Sequence, residues 1–237
     1  ELRARGFVFL LLGAACAHLQ GQDTLFIYEN GVGAINLPFR ASEVGVDHAR
    51  SVHPLSLLKM GKLVSTLLST SFRFSNPFLF WTKAQMCKVF NDTFSTALIA
   101  GTVTCDRLHR QTPMQCGCCS SCLLRRQALA VQAINDGTGY VIDTRPPRPE
   151  DRLHLQAMLH QVVALRTLLT TPDPWLSLAK QHRVLWDIVD EIASQEGIFP
   201  EVLIMKLLQL YTRYVEEWEQ VRNTVGVGLL PNSELQQ

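Results

Sequence analysis

Five cysteines fall between Cys105 and Cys122, and their spacing constrains this chain more than any other feature. The row reads Cys105, ten intervening residues, then Cys116-Gly117-Cys118-Cys119-Ser120-Ser121-Cys122. Cys116, Cys119 and Cys122 make two successive C-x-x-C steps, a spacing that lets thiolates converge on one ion within a tight turn, which Gly117 eases. Tetrahedral zinc takes four ligands, so Cys105 is the natural fourth and Cys118 a spare that points away. His109 is the competing fourth ligand, an iron–sulfur cluster the competing metal group, and unligated structural thiols the bland alternative. Four sulfurs leave no open coordination position, so zinc here is expected to be structural rather than catalytic. Seven cysteines are an odd number for a chain of 237 residues, and their local concentration argues for metal rather than a disulfide scaffold. A cytosolic setting follows.

The rest of the composition bounds the function. Hydrophobic residues make up 47% and charged residues 18%, so the chain can bury a sizeable core and is not a disordered one. Lys+Arg number 22 against 21 Asp+Glu, which leaves no basic footprint for sequence-independent nucleic-acid binding. The opening Glu1 to Ala17 imitates a secretory signal, with basic residues, an apolar run and an Ala15-Cys16-Ala17 ending. The chain begins with Glu rather than Met, so the true start is expected upstream, and the same segment reads as a helix with Phe9, Leu12, Ala15 and Ala17 on its buried side. No run reaches the ~18 apolar residues of a membrane span, and a soluble, cytoplasmic protein is expected.

Along the chain, a helix over residues 1–20 precedes Leu25-Phe26-Ile27-Tyr28, a continuous apolar run typical of a buried parallel strand. A long polar, glycine-containing loop follows from Glu29 to Pro54, the kind of place where open α/β sheets put their ligand sites. Helix over 55–70, strand over Phe72 to Ser75 and helix from Thr82 to Phe90 then argue for part of a parallel α/β sheet, with Leu123 to Asn135 helical after the cysteines. Arg145-Pro146-Pro147-Arg148-Pro149 marks a boundary. Beyond it the period is helical: Leu155, Leu159, Val162, Arg166 and Leu169 share one stripe, a second helix runs from about Trp175 to Gln195, and a third carries Leu203, Leu207, Leu210, Tyr214 and Trp218. The expected organisation is α/β over 1–104, the cysteine motif and its helix over 105–135, a linker over 136–149, an α-helical bundle of three helices over 150–226, and a tail over 227–237. The carboxylates Asp187, Asp190 and Glu191, and likewise Glu216, Glu217 and Glu219, read as solvated helix faces, and Trp175, Trp186 and Trp218 as bundle packing.

The cysteine row carries a resemblance. Pro113-Met114-Gln115-Cys116-Gly117-x-Cys119-x-x-Cys122-x-x-Arg125-Arg126, with Thr104-Cys105 upstream, resembles the zinc motif of QueC, the 7-cyano-7-deazaguanine synthase family of queuosine biosynthesis. Asn76-Pro77-Phe78-Leu79-Phe80-Trp81-Thr82-Lys83-Ala84-Gln85-Met86 is similar to that family's "P-L … T-K-A-E-I" segment, and Arg3-x-Arg5, the strand and Asn30 to its mid-domain helix and substrate loop. The resemblance covers about residues 1–135. It implies the C-terminal part of a pyrophosphatase-loop (adenine nucleotide alpha hydrolase-like) parallel-sheet domain with a four-cysteine zinc motif. The family's phosphate loop, Ser-Gly-Gly-x-Asp-Ser, does not occur in this sequence, and Gly31-Val32-Gly33 is too short to replace it. An ATP-binding N-terminal half on the same or another chain is therefore implied. Glu29-Asn30-Gly31-x-x-Ala34-Ile35-Asn36-Leu37-Pro38 and Arg50-Ser51-Val52-His53-Pro54 resemble a divergent branch found in bacterial anti-phage operons, whose enzymes place an activated deazaguanine on other acceptors, including protein amines.

The implied chemistry is ATP-dependent C–N ligation, with ATP and Mg2+ as cosubstrate, zinc as a structural ion and 7-carboxy-7-deazaguanine as the substrate. Asn30 and Asn36 offer paired donors and acceptors to a deazaguanine base, and Arg50 or His53 can hold the carboxylate or developing phosphate charge. Arg3, Arg5 and Lys83 are the nucleotide-facing residues. Each has a bland counterpart: Asn30 as a turn residue before glycine, His53 as a helix cap, Lys83 as a solvated first-turn lysine, Arg3 and Arg5 as exposed. Two rival functions stand beside this one. A tRNA-thiolating adenylating enzyme would need an active cysteine, for which Cys87 and Cys118 are the candidates. A non-catalytic zinc-stapled subunit would dock a partner through the helical bundle.

Overall fold

The computed structural model describes residues 5–39, 51–93, 96–106, 114–146 and 148–225. The chain gathers into two compact units, each made from two separate stretches. One comprises Glu1–Trp81 with Pro172–Leu210, the other Thr82–Thr171 with Tyr211–Gln237. The proline run before residue 150, which reads as a linker, lies inside the second unit. Pro149 occupies the first turn of a helix, where its missing N–H has no intrahelical partner to lose and its fixed φ is already helical.

In the first unit, α1 (Arg5–Leu19) leads to β1 (Thr24–Phe26), the single-turn α2 (Gly31–Ile35), α3 (Pro54–Leu68) and β2 (Arg73–Ser75). The strands pair in parallel, Thr24 opposite Arg73, Leu25 opposite Phe74 and Phe26 opposite Ser75. The sheet is therefore parallel as the apolar runs imply, but small. β1 is not enclosed: Phe26 is 51% exposed, and Tyr28 just beyond the strand is 66% exposed, because β2 is its one partner among the described residues. Leu10 and Ala14 of α1 pack with Leu57, Met60 and Val64 of α3 and with Phe72 and Phe74. This corrects the expected face of α1, since Phe9 and Leu12 are exposed. The segment is apolar nearly all round, so its periodicity does not single out one side, and contact with α3 and the sheet decides. Ser65 fixes α3 to the start of β2, its Oγ accepting the Phe72 N–H at 2.8 Å and donating to the Phe72 carbonyl at 2.9 Å.

The loop after β1 is tied to the segment after β2. The Gly31 N–H donates to the Trp81 carbonyl at 2.8 Å, and a Cβ on Gly31 would stand 1.9 Å from the Leu79 carbonyl oxygen. No side chain fits there. Gly31→Ala is expected to force the two segments apart and to cost about 3 kcal/mol. A lower denaturant midpoint at unchanged m-value checks it, and a midpoint within error of the parent would contradict the packing.

The remaining elements of this unit are α7 (Pro174–Gln181), α8 (Val184–Glu196) and the first residues of a long helix, α9 (Pro200–Val225). The one helix expected over 175–195 is thus two. His182 leaves helical geometry at φ −127° and ψ 75° while its N–H still closes on the Leu178 carbonyl at 2.9 Å, and burial depresses the His182 pKa. Trp175 is buried and packs edge-on against the part-exposed Trp186, ring centres 5.1 Å apart.

The second unit holds α4 (Lys83–Thr93), α5 (Ser120–Val131), α6 (Pro149–Leu169) and the remainder of α9, with α5 packed on both α4 and α6. The buried stripe of α6 is Leu155, Met158, Val162 and Leu165, not the one through Leu159 and Arg166. Arg166 is part-exposed and pairs with Glu219 at 3.0 Å, so a basic residue at helical spacing had marked the edge of the stripe rather than its centre. On α9, Tyr211, Tyr214, Trp218 and Val221 are buried, and so is Glu217, contrary to its reading as a solvated carboxylate. Glu217 falls seven residues after Leu210 and is therefore on the apolar stripe itself. Among the described residues no helix is long and apolar enough to cross a membrane.

Candidate metal centre and substrate loop

Cys105, Cys116, Cys119 and Cys122 are all buried, and their sulfurs lie within 4.8 Å of one another. Four thiolates at ~2.3 Å from a tetrahedral ion stand about 3.8 Å apart, and the Cys116 and Cys122 sulfurs are 3.9 Å apart. Local backbone builds this convergence. Gly117 takes φ +82°, and a Cβ there would meet Ile142 Cγ2 at 2.6 Å, so the knuckle turns where only glycine is unstrained and uncrowded. Cys119 then caps α5, which carries Cys122 one turn in. The Cys116 N–H points at Cys105 Sγ and the Cys119 N–H at Cys116 Sγ, both at 3.3 Å, the arrangement that supports anionic sulfur ligands.

The thiols compete for charge in a way that a cation would resolve. Hydrogen bonds from Cys118, Cys119 and Cys122 hold Cys116 well below the ordinary thiol range. Cys122 is pushed far up and Cys119 up to about 12, chiefly because each shares its proton with Cys116. The donor set is all sulfur, closed and dry, which fits a structural zinc. Cys118 stands outside the four and donates to the buried Asp151 carboxylate at 3.5 Å. Arg145 grips the same carboxylate at 2.7 and 3.0 Å, and hydrogen bonding from Arg145 holds Asp151 well below the usual carboxylate range.

Behind the centre, Arg125 of the cysteine motif is buried. It donates to the Thr102 and Ile99 carbonyls, to Asp136 at 3.0 Å and to Thr138 at 2.9 Å. Asp136 also accepts from the Tyr140 hydroxyl. Arg126 donates to the Gly117 carbonyl at 3.0 Å and lies over the Tyr140 ring. Gln115 ties Thr102 and Thr104 together through its amide. The motif's polar residues thus brace the segments on either side of the knuckle, where Gln115 and Tyr140 form an isolated bridge.

The other sequence candidates divide by unit. Asn30 and Asn36 bracket α2 in the first. Asn30 is its N-cap, with Oδ1 accepting the Gly33 N–H at 2.9 Å and Nδ2 donating to Glu29, so its side chain shapes the loop. Asn36 closes the turn at φ 49°, a left-handed conformation that asparagine tolerates. His53 caps α3, its Nδ1 accepting the Leu55 N–H at 3.3 Å. Arg5 opens α1 and is exposed, and Lys83 is the half-buried first residue of α4 in the second unit. Arg3, Arg50, His109 and the tail after Val225 lie outside the described residues.

A buried carboxylate completes the second unit. Glu217 accepts from the Thr82 hydroxyl at 2.5 Å and from Gln127 Nε2 at 3.3 Å, and burial raises its pKa against those two hydrogen bonds. A raised native carboxylate favours the folded state most when protonated. Its contribution is intact below the ordinary glutamate pKa of ~4.3 and is lost as pH climbs through the raised native value. Unfolding free energy measured against pH is expected to fall across that window relative to Glu217→Gln, and parallel curves would contradict the burial.

Over residues 3–133, rather more than half its length, the chain matches the family model "Queuosine biosynthesis protein QueC". The chain belongs to the QueC family. No curated protein and no solved structure matches it. The matched QueC region takes in both strands, the loop between them, Lys83 and all four clustered cysteines, and it ends before α6.

Proposed function

We propose that this QueC-family chain serves an ATP-dependent C–N ligation on 7-carboxy-7-deazaguanine. The observation that carries this reading is the family match over a region whose four motif cysteines converge into a metal-ready centre. Oxide is a poor leaving group, so attack on a carboxylate needs activation. The carboxylate oxygen attacks the α-phosphorus of ATP, pyrophosphate departs, and the acyl adenylate loses AMP when ammonia or an amine attacks its carbonyl carbon and gives up a proton. Positioning and charge stabilisation supply the catalysis. Asn30, Asn36, Arg50 and His53 face the deazaguanine base or carboxylate; Arg3, Arg5 and Lys83 face the nucleotide with its Mg2+; and the cysteines hold zinc that staples the fold. A cytoplasmic setting and a role in anti-phage defence, with a protein amine as acceptor, belong to the same reading. The loop's place after the C-terminal end of a parallel strand supports it.

A second reading, a zinc-stapled docking subunit without catalysis, rests on the same four converging cysteines, which would staple the fold with or without turnover. Release of AMP and pyrophosphate from ATP by the natively purified assembly, with and without 7-carboxy-7-deazaguanine, separates the two. Base-dependent AMP is the expected result. Its absence from an assembly that demonstrably contains an ATP-binding half would leave the docking subunit.

A further inference from the structure

We infer that Glu217, carried by α9 beyond the family match, is a positioning residue for the turn of Thr82 and Lys83, and through it for the nucleotide. The inference rests on the proposed function, in which Lys83 faces ATP. Thr82 is 1% exposed and its hydroxyl has two fixed engagements: it donates to Glu217 at 2.5 Å and accepts the Gln85 N–H at 3.2 Å. The Gln85 side chain in turn accepts the Thr82 N–H at 2.9 Å, closing a reciprocal capping box at the start of α4. Lys83 is the next residue. Its backbone is therefore held by a cap whose hydroxyl direction a carboxylate from another helix dictates.

Glu217 reaches a third element through Gln127 of α5, so one side chain ties α9 and α5 to the lysine turn. A leucine at this stripe position would bury without desolvating a charge, whereas a carboxylate must be held by partners. The neighbouring Glu216 and Glu219 are exposed, which marks position 217 as the one where α9 brings a carboxylate inward. Thr82 and Lys83 lie in the segment that resembles the family motif, while Glu217 lies about 84 residues past the end of the match, at residue 133. The added C-terminal segment thus supplies a part to the family's own machinery.

The test is a double-mutant cycle on the natively purified assembly, read as base-dependent AMP formation against ATP concentration. Glu217→Ala and Lys83→Ala are each expected to raise the KM for ATP about tenfold with kcat within about twofold, and the double variant to be no worse than Lys83→Ala alone. Glu217→Gln is expected to restore KM. Its new amide keeps an acceptor for Thr82 and donates to Gln127 Oε1, which has no other hydrogen-bond partner among the described residues, once the Gln127 amide turns over. If Glu217→Ala does not fold, Thr82→Val is read the same way, with Thr82→Ser as its rescue. Multiplying effects in the double variant would reduce Glu217 to a structural residue and overturn the inference. So would an unchanged KM in Glu217→Ala or Thr82→Val. A parent assembly that forms no AMP would defeat the ligase reading itself and this inference with it, a result distinct from an active parent with an indifferent variant.

Discussion

Replacing Cys122 by serine, or stripping the protein with a strong chelator under reducing conditions, is expected to cost the second unit its cooperative melting. The parent should carry one zinc per chain by native mass spectrometry, and the variant less than a tenth of that. The size of the effect follows from where the ligands sit. Cys122 is fully buried on α5 and Cys116 and Cys119 form the knuckle that starts that helix, so an ion held by the four sulfurs would close a loop from Cys105 to Cys122 and fix the helix entry with it. Zinc held by four thiolates contributes on the order of 10 kcal/mol to the folding of small metal modules, comparable to the whole stability of an ordinary domain. Without it, four crowded buried thiols would have no cation to share, and Cys105, which enters from a separate segment, would lose its metal link to the knuckle. Cys118→Ser is the internal control: it lies outside the four and is expected to keep full zinc stoichiometry. Visible absorption from iron in place of zinc would move the centre to the iron–sulfur alternative, and metal retention in Cys122→Ser would remove that residue from the ligand set.

The cysteine centre was the most legible part of the chain because metal ligation is local chemistry. Three candidate ligands within seven residues specify their own geometry, and the fourth had to lie near, as Cys105 and the competing His109 both do in the sequence. The parallel sheet was legible in kind but not in extent, since Leu25 to Tyr28 reads as an apolar run whether one neighbour or two lie beside it. The face of α1 was illegible for a related reason: in Phe7 to Ala17 almost every position is apolar, and only the partner surface of Leu57, Met60 and Val64 selects Leu10 and Ala14. Glu217 shows the opposite failure. Its position on the α9 stripe was readable, but its charge argued for solvent, and the partners that permit its burial, Thr82 and Gln127, are 135 and 90 residues away. Asn30 and His53 were legible as polar residues at loop ends. Their cap roles in the fold emerge from backbone geometry that the sequence suggests only through the glycine and proline that follow them.

Arg125 is where the sequence motif and the energetics meet, and truncating it has the second-largest expected effect. Its side chain is 4% exposed, and its guanidinium spans four residues that arrive on separate segments: Ile99 and Thr102 before the cysteines, Asp136 and Thr138 after α5. Removing it with Arg125→Met leaves the Asp136 carboxylate without its cation and takes one donor from each of the Thr102 and Ile99 carbonyls. Breaking a buried ion pair from one side costs about 3–5 kcal/mol, which for a chain of this size corresponds to a fall in melting temperature of roughly 10 °C. Arg125→Lys is expected to recover little of it. An ammonium is a point donor with three N–H groups on a flexible stem, and it cannot reproduce a planar fork that reaches Thr102 on one nitrogen and Ile99, Asp136 and Thr138 on another. The two variants melting within a degree of each other, well below the parent, would establish geometry rather than charge as what the site requires. A lysine variant as stable as the parent would mean that the positive charge near Asp136 suffices. Because Arg125 sits three residues after Cys122 on α5, zinc affinity provides an independent readout, and the fork's loss is expected to weaken metal retention about tenfold without touching a ligand.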